Sequence, residues 1–287
     1  MTEAGGLTDL ASDAMRVAAV ALAEDGADDI TSRVTIGEGQ QGRGLLEARE
    51  PMAVAGLAYA DAVVAALGLP AVEWRVHEGE RLERPQVIGT CAGSLRVLLR
   101  AERPLLNLLQ RACGIATMTA RCVDAVAGTG CRILHTRKTT PGLRTFEVGA
   151  VLAGGGALHR LDLVTAVMVK DNHWQGLAAT GRSLAEALSA ARAFGVEELE
   201  VEVESLDQLE EACRAGATRL LIDNQSPDTV AEWVGLARRL RPTIELEATG
   251  GITLETMAAY ARSGVDFIST GMLTHSVRSA DLGMEVN

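Results

Sequence analysis

Apolar positions follow one rhythm before residue 100 and another after residue 130. Helical spacing over residues 7–23 comes first. Short strand-like runs follow at 42–49, 72–77, 87–91 and 95–101, and the polar stretch VHEGERLERPQVIG turns between two of them. A long helical pattern over 102–127 leads out of this part. Gly114 within it marks either a kink or a close approach of another segment. Beyond it, apolar runs recur at 131–135, 166–169, 199–203, 218–222, 244–247 and 265–269, with helical patterns between most of them. Ser183 opens S-L-A-E and Ser205 opens S-L-D-Q, so each predicts a capping box. Ser226-Pro227 predicts an N-cap with proline in the first helical position. Strands and helices alternating every 20–35 residues or so predict parallel βα units, hence an α/β fold with a barrel-like second part.

Composition narrows the class. The chain has 287 residues, 47% of them apolar and only 3% aromatic, enough for one large α/β domain or a barrel plus a smaller domain. A net charge of -11 argues against general binding to nucleic acid or to anionic membranes. No apolar run is long enough to span a bilayer, so no membrane association is expected. Cys91, Cys113, Cys122, Cys131 and Cys213 form no C-x-x-C pair and sit among apolar residues, which reads as a reduced, cytoplasmic chain. The opening MTEAGGLTDLASDAM has no basic region before an apolar one, so no signal peptide is expected.

In a βα barrel, chemistry collects where the strands end. The groups after the six apolar runs are His135–Arg144, Lys170–His173, Glu202–Glu204, Asp223-Asn224, Glu247–Gly251 and Thr270–Ser276. The stretch HTRKTTPGLR places Arg137, Lys138 and Arg144 together against the overall charge, as an anion site requires. GGGALHR adds His159 and Arg160, and VMVKDNH adds Lys170 directly after an apolar run. His159 alone would be a packing or hydrogen-bonding residue; beside Arg160 it reads as a substrate donor. Glu202 and Asp223 end successive strands. They either hold Mg²⁺ together with substrate phosphates or pair with Lys170 or Lys138 to order the site. Glu200 and Glu204 alternate with Glu202, and at least one of the three is expected to face another way. EATGGI and STGMLTHS present Thr249, Gly250, Gly251, Thr270 and Gly271, whose backbone N–H groups suit a phosphate. There is no Walker loop, no H-E-x-x-H and no catalytic serine or cysteine arrangement. Electrostatic catalysis on a polyanion is the remaining reading.

Taken together, T-R-K-T-x-P-G-L-R, G-G-G-x-x-H-R, K-D-N-H, E-V-E, L-I-D-N, E-A-T-G-G-I and G-M-L-T-H-S resemble the quinolinate phosphoribosyltransferase family. The likeness extends to EDGADDITS, AERPLLNLLQRACGIAT and the terminal THSVRSADLGME, so it covers almost the whole chain. It implies an N-terminal α/β sandwich domain over 1–112, joined by the C-terminal tail 274–287, and an open α/β barrel over 113–273. It implies phosphoribosyl transfer from 5-phosphoribosyl-1-pyrophosphate (PRPP) to quinolinate, with loss of pyrophosphate and CO2, giving nicotinate mononucleotide for NAD biosynthesis. It implies a homodimer in which Arg103 of one chain completes the other's site. By the same resemblance, Arg137, His159, Arg160 and Lys170 grip the two carboxylates, and Lys138 lies near pyrophosphate and ribose. Glu202 and Asp223 would serve ribose and Mg²⁺, and the loops at 249–251 and 270–272 the phosphate.

Four positions depart from the family pattern. His135 and Thr165 stand where the family has Asp, Val148 where it has Lys, and Leu158 where it has Asn. The run AVLAGGGALHRL also leans toward a paralogous branch tied to molybdenum utilisation, although that branch tends to lose K-D-N-H, which is intact here. A relative acting on another aromatic or pyridine carboxylate is therefore one alternative. A non-catalytic binding relative is a second, disfavoured by the complete set of cations and carboxylates.

Overall fold

The computed structural model describes residues 9–287. The first two residues of the helix predicted from residue 7, and the first eight of the segment read for a signal peptide, lie outside them. Along the chain run α1 (Leu10–Glu24), α2 (Ile30–Thr35), β1 (Gln41–Ala48), β2 (Met52–Ala53), α3 (Leu57–Ala66), β3 (Glu73–Trp74), β4 (Arg81–Leu82), β5 (Gln86–Ser94) and α4 (Leu95–Ala125). Then follow β6 (Arg132–Leu134), α5 (Arg144–Ala153), β7 (Val167–Val169), α6 (Asp171–Thr180), α7 (Leu184–Ala193), β8 (Leu199–Val203), α8 (Leu206–Ala215) and β9 (Arg219–Asp223). The last are α9 (Pro227–Leu240), β10 (Glu245–Thr249), α10 (Leu254–Arg262), β11 (Phe267–Ser269), α11 (Met272–His275) and β12 (Leu282–Val286). The fold is mixed α/β, in two compact units. One holds residues 1–120, 138–156 and 273–287; the other holds 121–137 and 157–272.

The first unit carries an antiparallel sheet in the order β12-β1-β5-β3 and a small β2-β4 pair. The C-terminal strand β12 runs antiparallel to β1, with Leu46 opposite Met284. The strand expected at 95–101 is helix. Leu95, Leu98, Ala101 and Leu105 are all buried at a 3-3-4 spacing, which is a helical stripe, so α4 starts directly where β5 stops. Gly114 marks a close approach: a side chain there would collide with the Arg278 carbonyl as the C-terminal segment crosses α4. Tyr59 of α3 meets Phe146 of α5 edge to face at 4.7 Å and donates its hydroxyl to Asp13 of α1 at 2.8 Å. This satisfies a polar tip inside an apolar core.

The second unit is a six-stranded parallel sheet in the order β6-β11-β10-β9-β8-β7. β6 and β7 follow each other in sequence yet stand at opposite edges, so the barrel is open between them. The predicted runs match these strands within two residues at either end. Strand burial explains their strength as signals: Leu199, Val201 and Val203 are buried, as are Leu220, Leu221 and Ile222. Ser183 forms its capping box with Glu186. Ser205 caps α8 by accepting from Gln208 N–H, but the Gln208 side chain accepts from Glu204 N–H rather than returning to Ser205. Ser226 caps α9 with Pro227 in the first turn, as predicted.

Candidate active site

Parallel strands point one way, so their C-terminal ends share an edge of the second unit. At the end of β7, Lys170 turns its Nζ to Glu202 Oε2 of β8 at 2.8 Å. That pairing explains how a charge can follow the apolar run VMV. The backbone there is fixed from two sides: Lys170 N–H donates to His173 Nδ1 at 3.0 Å, and Trp174 Nε1–H donates to the Glu202 carbonyl at 2.9 Å.

Asp223 ends β9 beside this pair. Burial raises its carboxyl above the ordinary range, and the charges of Glu202 and Glu204 raise it further, against the pull of Lys170. Glu200 and Glu202 therefore do not diverge. A strand repeats every two residues, so Glu200 and Glu202 line one face while Leu199, Val201 and Val203 line the other, and Glu204 follows just beyond the strand end. The glutamates differ in depth: Glu200 is buried and Glu204 exposed. The three carboxyls Glu202, Glu204 and Asp223 thus gather negative potential at one strand-end corner.

The glycine loop after β10 is shaped by the same corner. Gly250 has φ 81°, and a side chain there would collide with the Asn224 amide and the Asp223 carboxylate. Asn224 itself has φ 53°, alone among the described non-glycine residues in the left-handed region, and its N–H donates to the Thr249 carbonyl at 3.1 Å. Its amide donates to Asp223 at 2.6 Å. Thr249 Oγ1 accepts from Ser269 at 3.2 Å, which ties this loop to the end of β11. Thr270 is buried there, with Gly271 next along the chain.

Two arginines of this unit lie close enough for one to feel the other's charge, and Arg160 Nη1 and Nη2 rest on the Ala166 carbonyl and the Met168 sulfur at 3.4 and 3.1 Å. Arg137 follows β6, and its Nε is buried with no hydrogen-bond partner. Arg160 is held low by burial and by the positive charge of Arg137, with Glu200 pulling the other way. Two like charges held near each other, one with a buried bare N–H, call for an anion between them. Asp162 shapes the adjoining loop by accepting from Val164 N–H and Thr165 N–H at 2.9 and 3.0 Å.

Behind these cations lies a polar interior. Arg219 of β9 reaches Glu245 at 2.7 Å, Glu200 at 3.3 Å and Glu247 at 3.6 Å, with its guanidinium 4.5 Å over the Phe267 ring. His159 points its Nε2 at Glu247, 3.3 Å away, and its Nδ1 accepts from Arg160 N–H at 2.7 Å. Glu247, read from sequence as part of a strand-end group, instead lies two residues inside β10 and is wholly buried.

The remaining expected residues belong to the first unit. Lys138 follows Arg137 in the chain, and its carbonyl accepts from Thr274 Oγ1 at 2.7 Å. Arg103 extends from α4 with 58% of its side chain exposed, and Glu102 lies 4.0 Å from it. Sequence reading passed over Glu147, which organises the T-R-K-T-T loop. It is fully buried in the first turns of α5 and accepts from Thr140 N–H at 3.0 Å, Thr140 Oγ1 at 2.8 Å and Arg111 Nη2 at 2.6 Å. A glutamate in an otherwise apolar helical stretch was the available signal.

Three of the four departures have local explanations. Val148 is buried in the core of the first unit, so its methyls replace a charge by packing. Thr165 Oγ1 donates to Asp162 at 3.0 Å and serves the loop turn. His135 is buried at the end of β6, edge to face with His159 at 6.5 Å. Nothing in the structure explains Leu158.

Among the described residues, no helix is long and apolar enough to cross a membrane. The family model for the quinolinate phosphoribosyl transferase N-terminal domain matches residues 29–113, and that for its C-terminal domain matches 115–285. The chain is 42% identical to the nicotinate-nucleotide pyrophosphorylase (carboxylating) of Mycobacterium leprae over 264 residues, 90% of this chain and 91% of that one. The solved nicotinate-nucleotide pyrophosphorylase from Francisella tularensis superposes with a TM-score of 0.89 at 31% identity, covering 96% of this chain and 97% of that one. NadC from Streptococcus pyogenes superposes at 0.88 and 35% identity, covering 98% and 99%. The chain that carries this strand-end edge is thus similar to these proteins over nearly its whole length, and it belongs to the quinolinate phosphoribosyl transferase family.

Proposed function

We propose that this protein joins quinolinate to PRPP, releasing pyrophosphate and CO2 and giving nicotinate mononucleotide, a step of NAD biosynthesis. The observation that carries the reading is the Arg137–Arg160 pair, two guanidiniums near each other with a buried Nε lacking a partner. A pyridine dicarboxylate is a flat dianion that suits such a pair. Arg137 and Arg160 take its carboxylates, with Lys170 as a further cation, and so orient the ring nitrogen toward the ribosyl carbon. The nitrogen lone pair forms the bond to that carbon as the carbon–oxygen bond to pyrophosphate breaks. Glu202, and Asp223 when ionised, lend negative charge to the positive character that develops on the ribosyl carbon. Once the ring nitrogen is quaternary, the bond to the neighbouring carboxylate breaks, CO2 leaves and the electron pair stays on the ring carbon beside the cationic nitrogen. A water proton then completes the product. Thr249, Gly250, Gly251, Thr270 and Gly271 offer N–H and hydroxyl groups to the ribosyl phosphate, and Lys138 offers charge to the pyrophosphate.

Glu202 and Asp223 also fit Mg²⁺. Burial raises the Asp223 carboxyl, and the neighbouring charges of Glu202 and Glu204 add to it, so a cation beside them would be favoured. Mg²⁺ takes one or two protein carboxylates and fills its shell with water and substrate phosphate, which two strand-end carboxylates can supply. Bound there, Mg²⁺ would neutralise the charge of the departing pyrophosphate. We further assign the protein to a homodimer in which the exposed Arg103 serves the neighbouring site. The five free, buried thiols support a cytoplasmic setting.

The test is turnover by purified protein with quinolinate, PRPP and Mg²⁺, followed by product mass. Nicotinate mononucleotide supports the reading. No product while PRPP still binds would move the protein to another aromatic carboxylate.

A further inference from the structure

The buried charges beneath the strand-end edge take no part in the steps above, yet their geometry bears on Arg160. His159 Nδ1 accepts the Arg160 backbone N–H at 2.7 Å. An accepting ring nitrogen carries no proton, so the proton sits on Nε2. That Nε2–H lies 3.3 Å from Glu247 Oε2 and 3.8 Å from Glu200 Oε1. Only 6% of the His159 side chain is exposed, and both ring nitrogens are turned to protein groups. The ring has no donor left for a ligand, contrary to a direct grip on substrate.

The carboxylate opposite is held ionised by its surroundings. Glu247 is wholly buried, and burial works against its charge. His159, Ser269 and Arg219 outweigh that and bring its carboxyl below the ordinary range. Arg219 on β9 faces Glu247 at 3.6 Å and Glu200 at 3.3 Å, so the pocket has cation and anion in near balance. Neither Glu247 oxygen is saturated by a close hydrogen bond, and Oε2 is the one that stands nearest both the ring and the guanidinium. Were the proton on Nδ1, it would oppose the Arg160 N–H, donor against donor, and the chain would have to move at Arg160 itself.

We propose that Glu247 is a positioning residue: its carboxylate fixes His159 as the Nε2–H tautomer, and His159 in turn holds the Arg160 backbone where its guanidinium meets a substrate carboxylate. This rests on the proposed reaction for its consequence, but not for its geometry. Glu247→Gln presents an amide whose NH₂ opposes the ring as readily as its oxygen accepts from it, so the tautomer lock loosens. Glu247→Asp keeps the charge at a shorter reach.

The experiment combines ¹⁵N-histidine NMR of the full-length protein, with the His159 signals identified by their loss in His159→Gln, and steady-state kinetics. In the wild type, Nε2 of His159 carries the proton and Nδ1 is bare. In Glu247→Gln both nitrogens show partial protonation, and KM for quinolinate rises about tenfold while KM for PRPP stays within about twofold. The double variant Glu247→Gln/His159→Gln is no worse than the poorer single, where independent sites would multiply. Glu247→Asp recovers part of the loss. A proton on Nδ1 in the wild type overturns the proposal, and that spectrum is decisive even where Glu247→Gln does not fold. An unchanged His159 spectrum or an unchanged quinolinate KM in a folded Glu247→Gln also overturns it. Wild-type protein inactive on quinolinate would defeat the proposed reaction instead, leaving the tautomer result to decide this point.

Discussion

Lys170 Nζ lies 2.8 Å from Glu202 Oε2, and this one pair joins the end of β7 to the end of β8 in the corner where Asp223 also sits. A lysine in this place is a point charge shared between a protein carboxylate and an arriving anion. Lys170→Ala therefore lowers kcat/KM by about a hundredfold or more, the scale of losing one electrostatic contact in an active site. The side chain is 42% exposed, so the melting temperature changes little. A folded Lys170→Ala enzyme with near wild-type rate would remove this residue from the site.

Asp223 gives a prediction of opposite sign for stability and activity. Its folded carboxyl titrates above its ordinary value of 3.8, from burial first and then from Glu202 and Glu204. A raised acid favours the folded state while protonated. That contribution is complete below the unfolded value and is lost as pH rises through the folded one. At neutral pH the ionised group is a burden on the free protein. Asp223→Asn should raise the melting temperature by about 2 °C while turnover falls about a hundredfold or more. A variant that melts lower at pH 7 but equally at pH 3.5 would contradict this.

Glu147 carries the first unit's loop before α5. Removing it leaves Thr140 and Arg111 without their buried acceptor. Glu147→Ala should cost about 3 kcal/mol in urea denaturation, as breaking a buried pair does. Glu210→Ala breaks only the exposed pair with Arg214 on α8 and should stay within about 0.5 kcal/mol. Equal effects from the two would show that burial does not govern them.

Arg103 provides the test of a shared site. Arg103→Ala and Arg137→Ala are each expected to be inactive alone. Mixed under proven subunit exchange, they should recover activity of up to about a quarter of wild type, because half of the dimers formed are mixed and each has one intact site. Absence of recovery would count against donation across a dimer.

The second unit was legible because its strands are buried on both faces and separated by capped helices. The run 199–203 coincides with β8, and Ser183, Ser205 and Ser226 all start helices. The first unit was less so. In α3, LAYADAVVAA is apolar almost all round and shows no helical face. Leu95–Ala101 follows β5 directly, so its apolar run reads on from the strand despite the Gly93-Ser94 pair that ends it. The pairing of β12 with β1 joins segments over two hundred residues apart, which no local pattern encodes. Lys170, Glu202 and Asp223 were legible as neighbouring strand-end groups because strand ends are readable. The inward face of the sheet was not: that Glu200, Arg219, Glu245 and Glu247 form one network depends on parallel register, with Glu200 and Glu245 both opposite Arg219.

The central claim is that this site couples ribosyl transfer to loss of one ring carboxylate. The most direct measurement gives the protein quinolinate carrying ¹³C in its 2-carboxylate, with Mg²⁺, and follows ¹³CO2 and nicotinate mononucleotide by mass, with and without PRPP. The account predicts labelled CO2 and unlabelled mononucleotide in equal amounts, and no CO2 when PRPP is left out. Labelled CO2 without PRPP, or a mononucleotide that keeps the label, would contradict it.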